Sequence, residues 1–265
     1  IGTPGKLPGT ENLFIDSSSL NHTRIVGGSK ATEPYPYQIS LQVKRRNRPS
    51  LISSILTGET GDWAHTCGGS ILDKNHVLTA AHCVDGGTPE IFSVLAGTLN
   101  RNSGGSRHLV EWIKMHPDYQ ELVTCDIAIL RVKTPFEYND MVQPIELEEA
   151  HIGAGVPVTL SGWGYSRPIR FGNIPMHLRT IDYKTISNEE CKERGFNVTK
   201  TEICTYRGLF RGACAGDSGG PLVNKERTKQ IGVVSYGSLI CSSGSPDAFT
   251  RVSEFIDWCK ETMKG

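Results

Sequence analysis

The sequence predicts a strand-rich chain in two closely packed halves, closed by one helix. Three observations predict it. Strand-like runs recur: Tyr37–Val43 alternates polar and apolar residues as a half-buried strand does, Val77–Cys83 reads as a buried strand running into His82, and Val158–Gly164 reads as a strand and turn. No linker made only of glycine and serine separates the halves, which argues against tethered domains. Phe255, Ile256, Trp258, Cys259 and Met263 suit an amphipathic terminal helix.

With 265 residues the chain is long enough for one large or two small domains with a real core. Lys+Arg and Asp+Glu are both 28, so no global charge draws it to nucleic acid or a membrane surface. No apolar run approaches the length of a membrane-spanning helix. The 8 cysteines form no Cys-x-x-Cys pair, and an even count suits a secreted protein with disulfides. Asn-x-Ser/Thr sequons at Asn21 and Asn197 agree with glycosylation and secretion. The chain starts without a leader, so we expect one to have been removed.

Residues 1–24 are rich in Gly, Pro, Ser and Asn, lack cysteine and show no periodicity, as expected of a poorly ordered extension. The stretch Gly212–Val223 holds Ser218 among small residues, where its hydroxyl can meet a bulky substrate. The N–H groups of Gly216 and Ser218 can converge on one oxygen, because glycine permits the turn this needs. Taken alone, Gly-Asp-Ser-Gly also fits an ordinary surface turn.

The rest of the chain decides between these. Arg24 precedes Ile25-Val26-Gly27-Gly28, Thr79-Ala80-Ala81-His82-Cys83 surrounds a histidine, and Asp126-Ile127-Ala128 surrounds an acid. On these motifs residues 25–265 resemble the chymotrypsin/trypsin family of serine endopeptidases in zymogen form. The order His82, Asp126, Ser218 separates that family from subtilisins and α/β-hydrolases.

The resemblance implies an all-β fold: two packed six-stranded antiparallel Greek-key β-barrels with a C-terminal helix, and an active site in the cleft between them. Residues 1–24 become an activation propeptide, 25–145 the N-terminal barrel and 146–265 the C-terminal barrel and helix. It implies Ser218 as nucleophile, His82 as base, Asp126 as its buried partner, and Gly216 and Ser218 as the oxyanion hole. Cleavage after Arg24 frees the Ile25 amine to pair with buried Asp217; without cysteine, the propeptide then leaves. Ser40 and His65 resemble the pair that holds this aspartate in some precursors. Three disulfides carry over: Cys67–Cys83, Cys191–Cys204 and Cys214–Cys241. For Cys125 and Cys259 two readings stay open. One is a bond that closes a long loop, stabilising by roughly 3–5 kcal/mol; the other is two buried free thiols.

The resemblance also places Gly212 at the pocket floor, where trypsin-like enzymes have aspartate, and Asp247 on the facing wall, where the family has glycine. Gly212 with Asp247 resembles the collagenolytic and broad-specificity serine proteases of arthropods. This implies cleavage after Arg or Lys and also after large hydrophobic residues or Gln, with Ser235-Tyr236-Gly237 as the rail for substrate; collagen cleavage is a further extension. A solvated loop aspartate is the other reading of Asp247. Lys44–Ala64 is an insertion, basic at its start and apolar beyond, either an exosite or a tolerated surface loop. No cofactor and no metal are expected; Ala96–Arg101 lacks the glutamates that bind calcium in relatives. Expected partners are protein and peptide substrates, an activating trypsin-like protease and protein inhibitors, acting on a secreted monomer. A catalytically inactive homologue serving as a binding or decoy protein is the alternative.

Overall fold

The computed structural model describes residues 28–45, 62–120, 124–165, 175–209, 211–238, 241 and 243–265. In the first half, β2 (Gln38–Lys44), β3 (Trp63–Ile71), β4 (His76–Thr79), β5 (Phe92–Ala96), β6 (Ser106–Met115) and β7 (Ala128–Val132) close into a barrel in the order β2-β3-β4-β7-β6-β5. In the second half, β9 (Pro157–Gly162), β10 (Arg179–Ile186), β11 (Glu202–Thr205), β12 (Pro221–Asn224), β13 (Lys229–Tyr236) and β14 (Asp247–Arg251) repeat that topology as β9-β10-β11-β14-β13-β12, closed by β9 on β10. Every neighbouring pair within each ring is antiparallel, and a closed ring leaves no unpaired sheet edge.

One short strand crosses the expected division at residue 145, and another begins just past it. β1 (Ser29–Lys30) precedes the first barrel but pairs with β10, and β8 (Glu146–Leu147) pairs in parallel with β13. The chain thus enters along the second barrel before it builds the first. The helix α2 (Ile256–Thr262) also crosses over: Phe255, Ile256 and Cys259 join the first barrel's core beside Ile39, Leu41 and Ile129. Its amphipathic face matches the periodicity, and its binding surface lies on the other half of the chain.

β2 is not half-buried as its alternation predicts. Its polar residues Gln38, Ser40 and Gln42 are buried as well as Ile39 and Leu41, because the outward face is covered too. Gln38 accepts a hydrogen bond from Ser161 of the second barrel at 2.6 Å, and Ser70 of β3 donates to Gln230 of β13 at 2.5 Å. Buried polar groups persist where they find partners, and these partners glue barrel to barrel.

Cys67–Cys83, Cys191–Cys204 and Cys214–Cys241 are bonded as expected. The second is set up locally: Ser187 accepts from the N–H of Glu190 at 3.0 Å, caps α1 (Asn188–Glu193), and turns Cys191 inward toward β11. The proposed Cys125–Cys259 bond is absent; both are free thiols. Cys125 has a left-handed backbone (φ 53°), and its sulfur rests 3.4 Å from the Thr124 hydroxyl. Cys259 is fully buried among apolar neighbours, which pushes its thiol up to about 12. Arg24, Ile25, Asn21 and most of the Lys44–Ala64 insertion lie outside the described residues. At the insertion's base, Lys44 pairs with Trp63 and Arg45 N–H donates to the Asp62 carbonyl at 2.7 Å.

Candidate active site

β4 delivers the chain into a 3₁₀ turn at Ala81–Cys83, and the bond from Cys83 to Cys67 ties that turn to β3. His82 is thereby presented to Asp126 twice. Its backbone N–H donates to Oδ1 at 2.9 Å, and its Nδ1 lies 2.7 Å from Oδ2. A carboxylate at Nδ1 requires the hydrogen there, so the Nε2 lone pair is free to accept a proton.

Asp126 is buried in the first half but held by the second. Ser235 of β13 donates to its Oδ2 at 2.6 Å, and Thr250 of β14 donates to its backbone carbonyl at 2.7 Å. Burial pushes the carboxyl up, yet the hydrogen bond and charge of His82, with the Ser235 hydroxyl, outweigh it and hold Asp126 below the usual carboxylate value. Ser235 was expected only as backbone rail. Neither its second role nor that of Thr250 is visible in sequence, because the partner lies 109 or 124 residues away.

The Ser218 loop is shaped by glycines that nothing else can replace. Gly216 has φ 96°, and a Cβ there would lie 3.1 Å from Gly164 Cα; at Gly219 (φ 75°) it would lie 2.2 Å from Thr79 Oγ1. Gly68 of β3 donates to the Ser218 carbonyl at 2.7 Å, which pins the loop to the first barrel. Asp217 is fully buried and accepts from the N–H groups of Gly164 (2.7 Å) and Cys214 (3.0 Å). Burial pushes its carboxyl up to about 6 despite those donors.

His65 does not hold Asp217. Ser40 Oγ lies 2.8 Å from His65 Nδ1 as expected of a pair, but His65 Nε2 lies 2.9 Å from the Gly216 carbonyl. With Asp217 satisfied by two amides, the imidazole takes the free carbonyl next door. Burial, then the Arg101 charge, pulls His65 down to about 4, so it is neutral and donates through one nitrogen only.

His82, Ser218, Tyr236, Gly237, Asp247 and the Cys214–Cys241 bridge all line one cavity of about 310 Å³. Asp247 is 7% exposed, which excludes the solvated-loop reading. Its Oδ2 accepts from Tyr183 OH at 3.0 Å and from Ala213 N–H at 2.9 Å. A Cβ on Gly237 would sit 3.2 Å from Oδ1, so that oxygen lies against the Gly237 backbone. Burial pushes Asp247 up to about 7 in spite of both donors. Gly212 is buried beside Ala213, and Tyr236 stacks on Phe196 with centroids 5.7 Å apart. Sequence reasoning missed Tyr183 and Phe196; neither stands in a motif. Asn197 is exposed. Cys67, His82 and Cys83 bring potential metal-ligand atoms together, but the two sulfurs are spent in a disulfide.

The trypsin family profile matches residues 25–259. Chymotrypsin-2 of Vespa crabro is 38% identical over 242 residues, covering 90% of this chain and 100% of that relative.

Proposed function

Because the chain belongs to the trypsin family of serine endopeptidases, we propose that His82, Asp126 and Ser218 hydrolyse peptide bonds through an acyl-enzyme. Ser218 Oγ attacks the scissile carbonyl carbon while His82 Nε2 takes its proton, and the carbonyl electron pair moves to oxygen. The Gly216 and Ser218 N–H groups receive that oxyanion. The C–N bond breaks as His82 protonates the leaving amine. Water then attacks the ester with His82 again as base, releasing the acid and restoring Ser218. Asp126 stabilises the imidazolium in both halves. The observation that carries this reading is that Ser218 shares one cavity with a histidine whose Nδ1 is already committed to a buried carboxylate.

The precursor is activated by cleavage after Arg24, the Ile25 ammonium pairing with Asp217. The path of the chain supports this. The Gly28 carbonyl accepts from Arg179 at 2.8 Å, Arg179 pairs with Gly162, and Asp217 packs against Gly162 so closely that a Cβ there would meet its Oδ1. Three residues span about 10 Å when extended, enough for Ile25 to reach that neighbourhood. A buried carboxylate held up near 6 gains most from an ammonium.

The pocket accepts Arg and Lys through Asp247, and large apolar residues or Gln in the space that Ala213 and Val234 line, with glycine rather than a charged residue at 212 behind it. The disulfides and the exposed sequon at Asn197 support a secreted protein. The test uses the chain cleaved after Arg24 on peptides varied at the residue preceding the scissile bond. Turnover after both classes, abolished in Ser218→Ala, is expected. Turnover after basic residues alone removes the dual pocket. No turnover from a chain with a confirmed Ile25 terminus favours the inactive homologue.

A further inference from the structure

Near the cavity, buried Asp126 is held by His82 and Ser235, buried Asp217 by two backbone amides, and buried Asp247 by a phenol as well as an amide. Tyr183 sits on β10 in the second barrel's core, 4% exposed, with its hydroxyl on Asp247. A buried phenol needs a partner, yet this one meets a group that also faces substrate.

We propose that Tyr183 is a positioning residue for specificity: with Ala213 N–H it occupies Asp247 Oδ2, leaves Oδ1 as the oxygen offered to a cationic side chain, and so sets the balance between basic and apolar substrates. This rests on the proposed reading of the pocket and adds to it a residue outside the cavity wall. The geometry is specific. Two donors converge on one oxygen from different elements, which fixes the carboxyl plane, and the other oxygen lies beside Gly237 at the rail. A neutral donor is suited to this place, since an Arg or Lys there would neutralise Asp247 and leave no charge for substrate.

The groups around Asp247 are few. Tyr183 faces it from β10, Asp217 acts on it from the Ser218 loop, Thr205 is its cross-strand neighbour on β11, Tyr236 is on adjacent β13, and Arg207 acts on Tyr183 from beyond. Burial, then Asp247, drives the Tyr183 phenol well above its ordinary value, so it stays a donor. Burial pushes the Asp247 carboxyl up to about 7, and the Tyr183 bond opposes that by favouring its charged form. Basic substrates therefore gain on apolar ones as pH rises, and Tyr183 sets where.

The experiment measures kcat/KM for two peptides differing only in Arg or Leu before the scissile bond, from pH 5.5 to 9. The ratio cancels the ionisation of His82. Each enzyme is normalised by a covalent serine titrant. In the native enzyme the ratio rises through neutral pH. In Tyr183→Phe it falls about tenfold at pH 7.5, as expected for losing a hydrogen bond to a charged group, and its midpoint moves up. 3-Fluorotyrosine at 183, a stronger donor of the same shape, moves the midpoint down and serves if Y183F folds poorly. Midpoints unchanged in both variants overturn the role of Tyr183 while leaving the pocket intact. A native ratio retained in Asp247→Asn overturns the pocket reading beneath it.

Discussion

His65 Nε2 donates to the carbonyl oxygen of Gly216 at 2.9 Å, and this fixes the peptide plane two residues before Ser218. The relay behind it is complete: Gln42 donates to Ser40 Oγ at 3.2 Å, and Ser40 Oγ stands 2.8 Å from His65 Nδ1. The Gly216–Asp217 peptide, whose own N–H donates to the Cys214 carbonyl at 2.9 Å, is thus held from the first barrel, 151 residues away in sequence, on the C-terminal side of the Gly216 N–H.

His65→Ala should therefore lower kcat of the cleaved enzyme by roughly tenfold with little change in KM, since the interaction lost matters most in the transition state. It should also cost about 1–3 kcal/mol of stability by leaving the Gly216 carbonyl unsatisfied. Steady-state kinetics with urea unfolding check both. An unchanged kcat would show that the Gly216 N–H keeps its orientation without His65 on the neighbouring carbonyl.

Ser235→Ala removes the 2.6 Å donor from Asp126. That donor favours the carboxylate, so its loss raises the Asp126 carboxyl, and kcat should fall roughly 5–10-fold, in line with about 1 kcal/mol for one hydrogen bond. The fall should be largest at the acid end of the pH–rate profile. A uniform fall in kcat/KM through KM alone would mean that Ser235 acts only through its backbone.

Asp247 makes stability depend on pH, and the sign follows from burial. Its folded value is about 7 against an ordinary 3.8. Below 3.8 both states are protonated and its stabilising effect is fully present; as pH rises toward 7 the unfolded chain sheds the proton first, and stability is lost. Asp247→Asn should therefore lose less stability between pH 5 and pH 8, by about 2–3 kcal/mol. Urea unfolding of the uncleaved Ser218→Ala chain, with and without Asp247→Asn, at the two pH values measures it. Identical slopes would place the Asp247 carboxyl in water.

Two thiols per chain should react with a thiol reagent once the protein is denatured without reductant. In the native state Cys125, which is partly exposed, should react well before Cys259, which is buried. Cys125→Asn should raise stability by about 0.5–1 kcal/mol, because asparagine tolerates φ 53° better than cysteine does. A denatured count of zero would restore the fourth disulfide.

What the sequence determined by itself was chemistry carried by contiguous residues. His82, Asp126 and Ser218 stand each in a motif of neighbours, Gly216 and Gly219 are where left-handed backbone demands glycine, and the resemblance those motifs carry implied the three disulfides. What tertiary structure alone decided lies between elements distant in sequence. The burial of both faces of β2, the return of α2 onto the first barrel, the turn of His65 from Asp217 to Gly216, the two free cysteines and the Tyr183–Asp247 bond all depend on which surfaces meet. Periodicity reports that a face is buried, not against what. A polar side chain's role is set by the partner that burial brings within 3 Å, and that partner comes from the other barrel or a distant strand.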